Sequence, residues 1–368
     1  MRTERENITL FIGPPSSRRK VTVNACEMVE SGYLTPESRF PLLLQPKVAT
    51  LDFPGWIAGQ RDFICQELRT HAAILFRGFG VEDSSAFQSC AAALSPELLS
   101  YTERAAPRQE VHDRVYTSTE YPADQCIPLH HEMSYSHMWP MKLWFYCAQP
   151  AAEGGCTPIT DDRKVIGLID ERIRDEFLKK GVMYVRNFGE GADMPWQEVF
   201  QTEDRHVVEK YCEETFIEFE WRSQGRLRTR QVRQVMVKHP ETGDEVWFNH
   251  AHLFHVSNLE PAVRQALLKE FRDDELPRNA FYGDGSQIPD ATLEAIRRTY
   301  SDAAVRFPWR KGDLLLVDNI LASHGRDSFS GERRTLVAMA ETYTNPDLVS
   351  PAPRPAEASS EEVRKVKR

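Results

Sequence analysis

The run Ile127-Pro128-Leu129-His130-His131-Glu132-Met133-Ser134-Tyr135 is the densest set of metal-competent side chains in the sequence. On an extended backbone, side chains two apart share a face, so His130 and Glu132 converge while His131 points elsewhere. An imidazole and a carboxylate placed this way supply two members of the 2-His-1-carboxylate facial triad, which leaves coordination positions open on Fe(II). The pair also arises by chance in many sequences, where it is a surface or core-edge histidine. A third donor must come from a distant segment. The best placed is His324, delivered onto a polar turn by the buried run Leu314-Leu315-Leu316-Val317. Farther along, Arg334 opens a predicted strand over 335–339, and a guanidinium at a barrel mouth can grip a carboxylate in a two-point fork.

The elements that must carry these residues alternate irregularly. Residues 56–71 hold Trp56, Ile57, Phe63, Ile64 and Leu68 at helical spacing, then run into the apolar strand Ala72-Ala73-Ile74-Leu75-Phe76, closed by Gly78. Segments 85–94, 165–177, 204–212, 261–271 and 290–300 read as helices; 143–147, 314–317 and 335–342 read as buried strands. Long insertions between strands do not make regular βαβ alternation. No Gly-x-Gly-x-x-Gly follows a strand and no phosphate-binding Gly-x-x-x-x-Gly-Lys-Ser/Thr is present, so nucleotide folds gain no support. The expected class is mainly β with helices, an α+β fold with an antiparallel core.

Composition narrows the function. In 368 residues, Lys+Arg 46 against Asp+Glu 55 leaves a net charge of −9, which argues against coating nucleic acid. The short basic cluster Arg18-Arg19-Lys20 reads as a solvated turn. With 41% hydrophobic residues the chain can build a sizeable core. No apolar run approaches membrane-spanning length, and Ile8-Thr9-Leu10-Phe11-Ile12 is too short for a signal-peptide core. The 7 cysteines are scattered and never spaced Cys-x-x-Cys, which suggests reduced thiols and a cytoplasmic protein. Pro14-Pro15-Ser16-Ser17 marks a turn, and the Pro/Ala/Ser-rich, then charged tail from Pro351 is expected to be mobile.

His130-x-Glu132, then Gly154-Gly155-Cys156-Thr157-Pro158, then His324-Gly325-Arg326 followed by Arg333-Arg334 resembles the TauD/TfdA group of Fe(II)- and 2-oxoglutarate-dependent dioxygenases. Residues 129–135, 190–203, 246–255 and 318–339 resemble its SyrP-like branch more narrowly. The resemblance implies a double-stranded β-helix, or jelly-roll, over 41–350, preceded by an N-terminal extension over 1–40 and followed by the tail 351–368. It implies iron held by His130, Glu132 and His324. The keto acid end of 2-oxoglutarate would chelate that iron, its distal carboxylate would meet Arg334, and Thr157 would supply a hydroxyl. One position would remain for O2. A dianionic cosubstrate indeed needs a metal charge at one end and a guanidinium at the other. Halogenating relatives lack the carboxylate ligand, so Glu132 favours hydroxylation or desaturation. Taurine-type relatives place a second arginine four positions after the cosubstrate arginine; here that position is Ala338, which argues against a sulfonate substrate. SyrP-like relatives act on amino acids, some tethered to carrier proteins in natural-product pathways. Free and carrier-bound substrates both stay open.

Other readings of the same residues remain. A jelly-roll that only binds or regulates is disfavoured by the complete triad with Arg334 and Thr157, since a degenerate relative loses one of these, and a zinc hydrolase on the same ligands would leave the paired arginine without a purpose. His250 and His252 could share a strand face and hold a second metal, or could be aromatic packing beside the pocket, with Asn249 a possible substrate contact. Arg326 either helps hold the cosubstrate or braces the His324 turn. Asp313 and Asp318 read as partners of the backbone near that turn, residues 116–121 as pocket wall, and Cys156 as packing.

Overall fold

The computed structural model describes the backbone of residues 7–12, 19–24 and 28–346, except 102, 107, 120 and 190–193, and side chains within 28–346. The turn expected at 14–17, Glu120 and the tail beyond 350 lie outside the described residues.

Eight strands form the larger sheet, in the order Val29–Thr35, Ser38–Pro46, Ala73–Phe76, Leu314–Asp318, Met138–Gln149, Arg334–Thr344, Val115–Thr117, Glu110–His112. Every pairing is antiparallel except that of Ser38–Pro46 with Ala73–Phe76. The first two strands carry the sheet across the boundary expected at residue 40. Period-two alternation then sorts the apolar side chains into two layers. Ile74, Phe76, Trp144, Tyr146, Leu314, Leu316, Leu336 and Ala338 face one way, against Trp56, Ile57, Ile64, Leu68 and Phe87. Those last five come from the helices Phe53–Gly59, Arg61–His71 and Ser84–Leu94. Asp52 and Asp83 cap two of these helices by accepting from Gly55 N (3.1 Å) and Ala86 N (2.8 Å).

The opposite layer, with Leu75, Leu143, Phe145, Leu315, Val317, Val337 and Met339, packs on Ile159, Phe248, Trp309, Ile320 and Ala322. Ile159 and Ala322 belong to a three-stranded sheet, Ile159–Asp161, Ala322–Arg326 and Ile127–His130, with the middle strand hydrogen-bonded to both neighbours. The larger and smaller sheets make the expected jelly-roll, and the site lies between them. Helices and strands occupy comparable shares of the chain.

The helical segments read from sequence are present. Residues 165–177 form two helices, Asp162–Leu168 and Glu171–Lys180, each capped by an aspartate. A further four-stranded sheet, Glu218–Trp221, Leu227–Arg233, Val182–Phe188 and Arg278–Tyr282, gave no strand signal in the sequence reading. Its strands carry arginines at several positions, which hides their apolar pattern. No helix among the described residues is long and apolar enough to cross a membrane.

A buried ion pair ties the end of Ala73–Phe76 to the start of Leu314–Asp318. Arg77 donates through Nη2 to Asp313 Oδ2 at 2.6 Å and through Nε to Oδ1 at 3.1 Å. Asp313 thus pairs with a side chain as well as with the backbone N–H of Arg310 (2.9 Å). Arg77→Ala, which strands a buried carboxylate, should cost about 3–5 kcal/mol in urea unfolding, whereas Arg77→Met with Asp313→Leu should cost less.

Candidate metal and cosubstrate site

In the smaller sheet, His324 is the direct cross-strand partner of His130. The close approach needs Gly325, because a Cβ there would stand 2.7 Å from the carbonyl oxygen of Ile127. Their imidazole centroids are 4.5 Å apart. Glu132 lies just past the strand end, where Met133 turns the chain at φ 59°. Asn319 clamps this turn, accepting from Glu132 N at 2.8 Å and donating to the Glu132 and Pro140 carbonyls at 2.9 and 2.8 Å.

One donor atom each from His130, Glu132 and His324 lie within 4.8 Å of one another, the metal-competent trio among the described residues. His130 Nδ1 donates to Pro128 O at 2.8 Å, which orients Nε2 inward. His324 Nε2 is 3.9 Å from Glu132 Oε2. Burial pushes His130 below the usual imidazole range; burial, with His130 and Arg108 nearby, pushes His324 well below it. Both rings are therefore neutral at physiological pH and ready to bind a cation. Two neutral imidazoles and a carboxylate fit an Fe(II) ion with open positions.

His131 does turn away. Its Nε2 meets Asp162 Oδ2 at 2.6 Å and its Nδ1 donates to Asn319 O at 2.7 Å, so it braces the core beside the site. Asp318 accepts from Ile320 N and Leu321 N at 3.0 Å each and meets His239 at 3.1 Å, away from the donor trio.

The two arginines require a correction. Arg333 lines a narrow cavity with Thr157, His130, His324, Phe145, Thr335 and Val337. Arg334 is exposed and lies on an open depression with Glu82 and Asp83, which Arg333 also borders, but it does not line the narrow cavity. Residues 333, 335 and 337 share the cavity face, so the sequence expectation for Arg334 is off by one. By the same shift, the position four residues on is Val337, and Ala338 faces the helical layer instead.

Arg333 donates through Nε to Gly155 O at 3.0 Å, and its Nη2 reaches Thr157 Oγ1 at 3.5 Å. A Cβ at Gly155, where φ is +67°, would lie 3.0 Å from Arg333 Cδ, which accounts for glycine there. Trp309 Nε1 donates to Thr157 Oγ1 at 3.0 Å. Arg333 has no carboxylate partner among the described residues, and burial lowers it to about 10. A partly buried, uncompensated cation beside a hydroxyl fits an acid group.

Sequence reasoning missed Arg108. Its Nη2 donates to Glu132 Oε2 at 2.6 Å, and both side chains are buried. It precedes the metal motif in an irregular segment, and nothing local announces its partner. Arg326 is a brace. Its guanidinium donates to the carbonyls of Tyr121, Pro122 and Gln125 at 2.6–2.9 Å and holds the loop entering Ile127–His130. Ser118, Thr119 and Tyr121 do line the cavities.

His250 and His252 do not share a strand face. His250 caps the short helix Ala251–Phe254, and His252 sits within it. His250 Nδ1 pairs with Ser134 Oγ at 2.7 Å, and His252 Nε2 donates to Leu129 O at 2.7 Å while its ring stacks on Tyr300. Asn249 is tied to Val235 O and Ala251 N and stays out of the cavity. Burial pushes the Cys156 thiol up, as packing would.

His130→Ala or His324→Ala should abolish tight iron binding in anaerobic calorimetry. His131→Asn should keep iron stoichiometry while lowering stability, because it takes the imidazole from Asp162 and leaves only the hydroxyls of Thr160, Tyr300 and Ser323 on that carboxylate. Iron loss in a folded His131→Asn protein would overturn the ligand assignment.

Burial lowers His252 to about 3. A ring kept neutral in the fold takes its proton on unfolding, so the unfolded chain binds more protons between about pH 6.5 and the folded value. Stability should therefore fall on acidification through that window, by ~1.4 kcal/mol per pH unit for each such ring. His252→Gln should flatten the slope by close to one proton in urea titrations between about pH 4 and 5.5, and by less as the pH rises through about 6.5.

Comparison with known proteins agrees with this geometry. Residues 38–340 match the family model described as taurine catabolism dioxygenase TauD, TfdA family. The dapdiamide synthesis protein DdaC of Enterobacter agglomerans is 47% identical over 274 residues, covering 74% of this chain and 83% of that protein. A clavaminate synthase-like protein of Arabidopsis thaliana is 31% identical over 325 residues, covering 82% and 94%. The crystal structure of PvcB from Pseudomonas aeruginosa superimposes with a TM-score of 0.51 at 17% identity, covering 84% of this chain and 90% of that one, a likeness of fold. The chain belongs to the TauD/TfdA dioxygenase family.

Proposed function

We propose that this protein is an Fe(II)- and 2-oxoglutarate-dependent oxygenase that uses O2 to hydroxylate an amino acid or amino-acid-derived molecule in a biosynthetic pathway. The observation that carries this reading is the donor trio His130, Glu132 and His324, with His130 and His324 lining the same narrow cavity as Arg333, which has no carboxylate partner among the described residues. The bound iron supplies the oxidising chemistry, while the chain supplies binding, orientation and exclusion of water. The reaction balances as substrate C–H plus 2-oxoglutarate plus O2 giving substrate C–OH, succinate and CO2.

Each residue has a defined share. His130, Glu132 and His324 hold the ion. Arg333 takes the distal carboxylate of 2-oxoglutarate, with Thr157 oriented by the Trp309 indole N–H. Arg108 and Asn319 hold Glu132 in place from the side chain and from the backbone. Glu132 fills the ligand position that a halide would need, which favours hydroxylation. A relative named for dapdiamide synthesis supports a small biosynthetic substrate. The free thiols among the described residues fit a reducing cytoplasm.

The test is succinate release with Fe(II) and 2-oxoglutarate across amino acids, free and carrier-loaded, with mass detection of the product. A gain of one oxygen supports hydroxylation; a loss of two hydrogens replaces it with desaturation. Succinate without change in any amino-acid-type candidate would show the substrate class to be wrong. Arg333→Ala should raise the 2-oxoglutarate requirement by roughly 30- to several-thousand-fold, the equivalent of about 2–5 kcal/mol for a broken charge pair in a closed site. Arg334→Ala should change it little. The reverse order would restore Arg334 as the anchor.

A further inference from the structure

Beside the metal donors opens a second, larger cavity of about 480 Å3, the space for the substrate if the oxygenase reading holds. Its body is apolar, with Leu253, Phe254, Leu259 and Val263 in the wall. Its acidic lining residue is Glu132, which is committed to the metal and to Arg108. Two guanidiniums, Arg108 and Arg278, also line it. Arg278 donates to Ala105 O at 3.1 Å and lies over the Phe254 ring. Among the described residues that line it, Glu132 is the acid that answers Arg108, and it is the one the metal would share.

Arg108 is the more exacting of the two. It lines both the narrow and the large cavity. Its Nη2 is used by Glu132 Oε2 at 2.6 Å and Thr119 Oγ1 at 3.3 Å, and its face rests on Tyr101 with 4.6 Å from Cζ to the ring centroid. Its Nε and Nη1 are buried and have no hydrogen-bond partner among the described residues. Buried N–H groups of a cation without acceptors are costly, and an oxygen of a bound molecule removes that cost. The far end of the cosubstrate is already answered by Arg333.

We propose that Arg108 receives a free carboxylate of the substrate, so that the substrate is a small carboxylic acid with an apolar body and not the corresponding amide, ester or carrier-bound thioester. This rests on the oxygenase reading and deepens it. A thioester has no negative charge to set against the guanidinium. The salt bridge to Glu132 places the acid group within reach of the metal, which directs oxidation to a carbon near the carboxylate.

The experiment is equilibrium binding under anaerobic conditions to the protein loaded with Fe(II) and 2-oxoglutarate. The probes are the common amino acids and their N-acetyl derivatives, each paired with its carboxamide. At least one acid should bind, and its carboxamide should bind about 30-fold more weakly. Arg108→Lys keeps a charge beside Glu132 but loses the remaining guanidinium N–H groups. Because Arg108 also holds Glu132, the variant is measured at saturating Fe(II) and 2-oxoglutarate, where it should lose most of the preference for acid over amide. Arg108→Gln should lose all of it. Amides binding as well as acids, no acid binding, an undiminished preference in Arg108→Lys, or a loss of 2-oxoglutarate affinity in its place would each overturn the proposal. A role confined to bracing Glu132 would change iron affinity and leave the acid-to-amide ratio alone. Failure of the unaltered protein to bind iron or 2-oxoglutarate would instead remove the oxygenase reading, and this proposal with it.

Discussion

The site depends on one cross-strand register, the pairing that sets His324 opposite His130. Backbone hydrogen bonds specify that register, and a slip of one residue in either strand would turn its imidazole away from the other. The pairing is pinned from several sides. Gly325 lets the strands approach, Ala322–Arg326 is also paired with Ile159–Asp161, and Arg326 holds the loop before Ile127 by its carbonyls. Asn319, reaching across 187 positions of sequence, fixes the Glu132 backbone to the same framework. Rigid strand positions and a clamped turn hold the donors more tightly than free loops would.

Around this register the charges are arranged unequally. The imidazoles are kept neutral by burial, the one carboxylate is paired with Arg108, and Arg333 has no anion beside it among the described residues. By itself this is unfavourable, since a partly buried cation without a counter-charge carries its desolvation cost uncompensated. The same deficit becomes binding energy when a metal ion and anionic molecules arrive. The apolar layers on both sides of the larger sheet, from Trp144 and Phe76 outward to Phe145 and Val317 inward, provide the stability that tolerates it.

Much of this was visible in the residues themselves. His130-x-Glu132 announces its geometry because period-two alternation is local, and the helices announce themselves through apolar spacing and aspartate caps. The separation of His131 from its neighbours follows from the same alternation, and the partners it finds, Asp162 and Asn319, agree with it. What local pattern could not show was parity in Arg334–Thr344. Leu336-Val337-Ala338-Met339-Ala340 is buried on both faces, so it reads as an unbroken apolar run with no inside or outside. A choice between Arg333 and Arg334 made from that run alone has no physical basis.

The sequence by itself determined the donor types, the two-residue spacing that aims them together, and the family to which the chain belongs. The tertiary structure alone decided which guanidinium enters the cavity and which carboxylate oxygen Arg108 holds. It also decided that His250 and His252 lie on a helical turn instead of a strand. The reason is range. Spacing within a strand or helix is set by backbone geometry over a few residues. The facing of a doubly buried strand and the partners of Arg108 and Asn319 are set by contacts between segments that meet only in the folded chain.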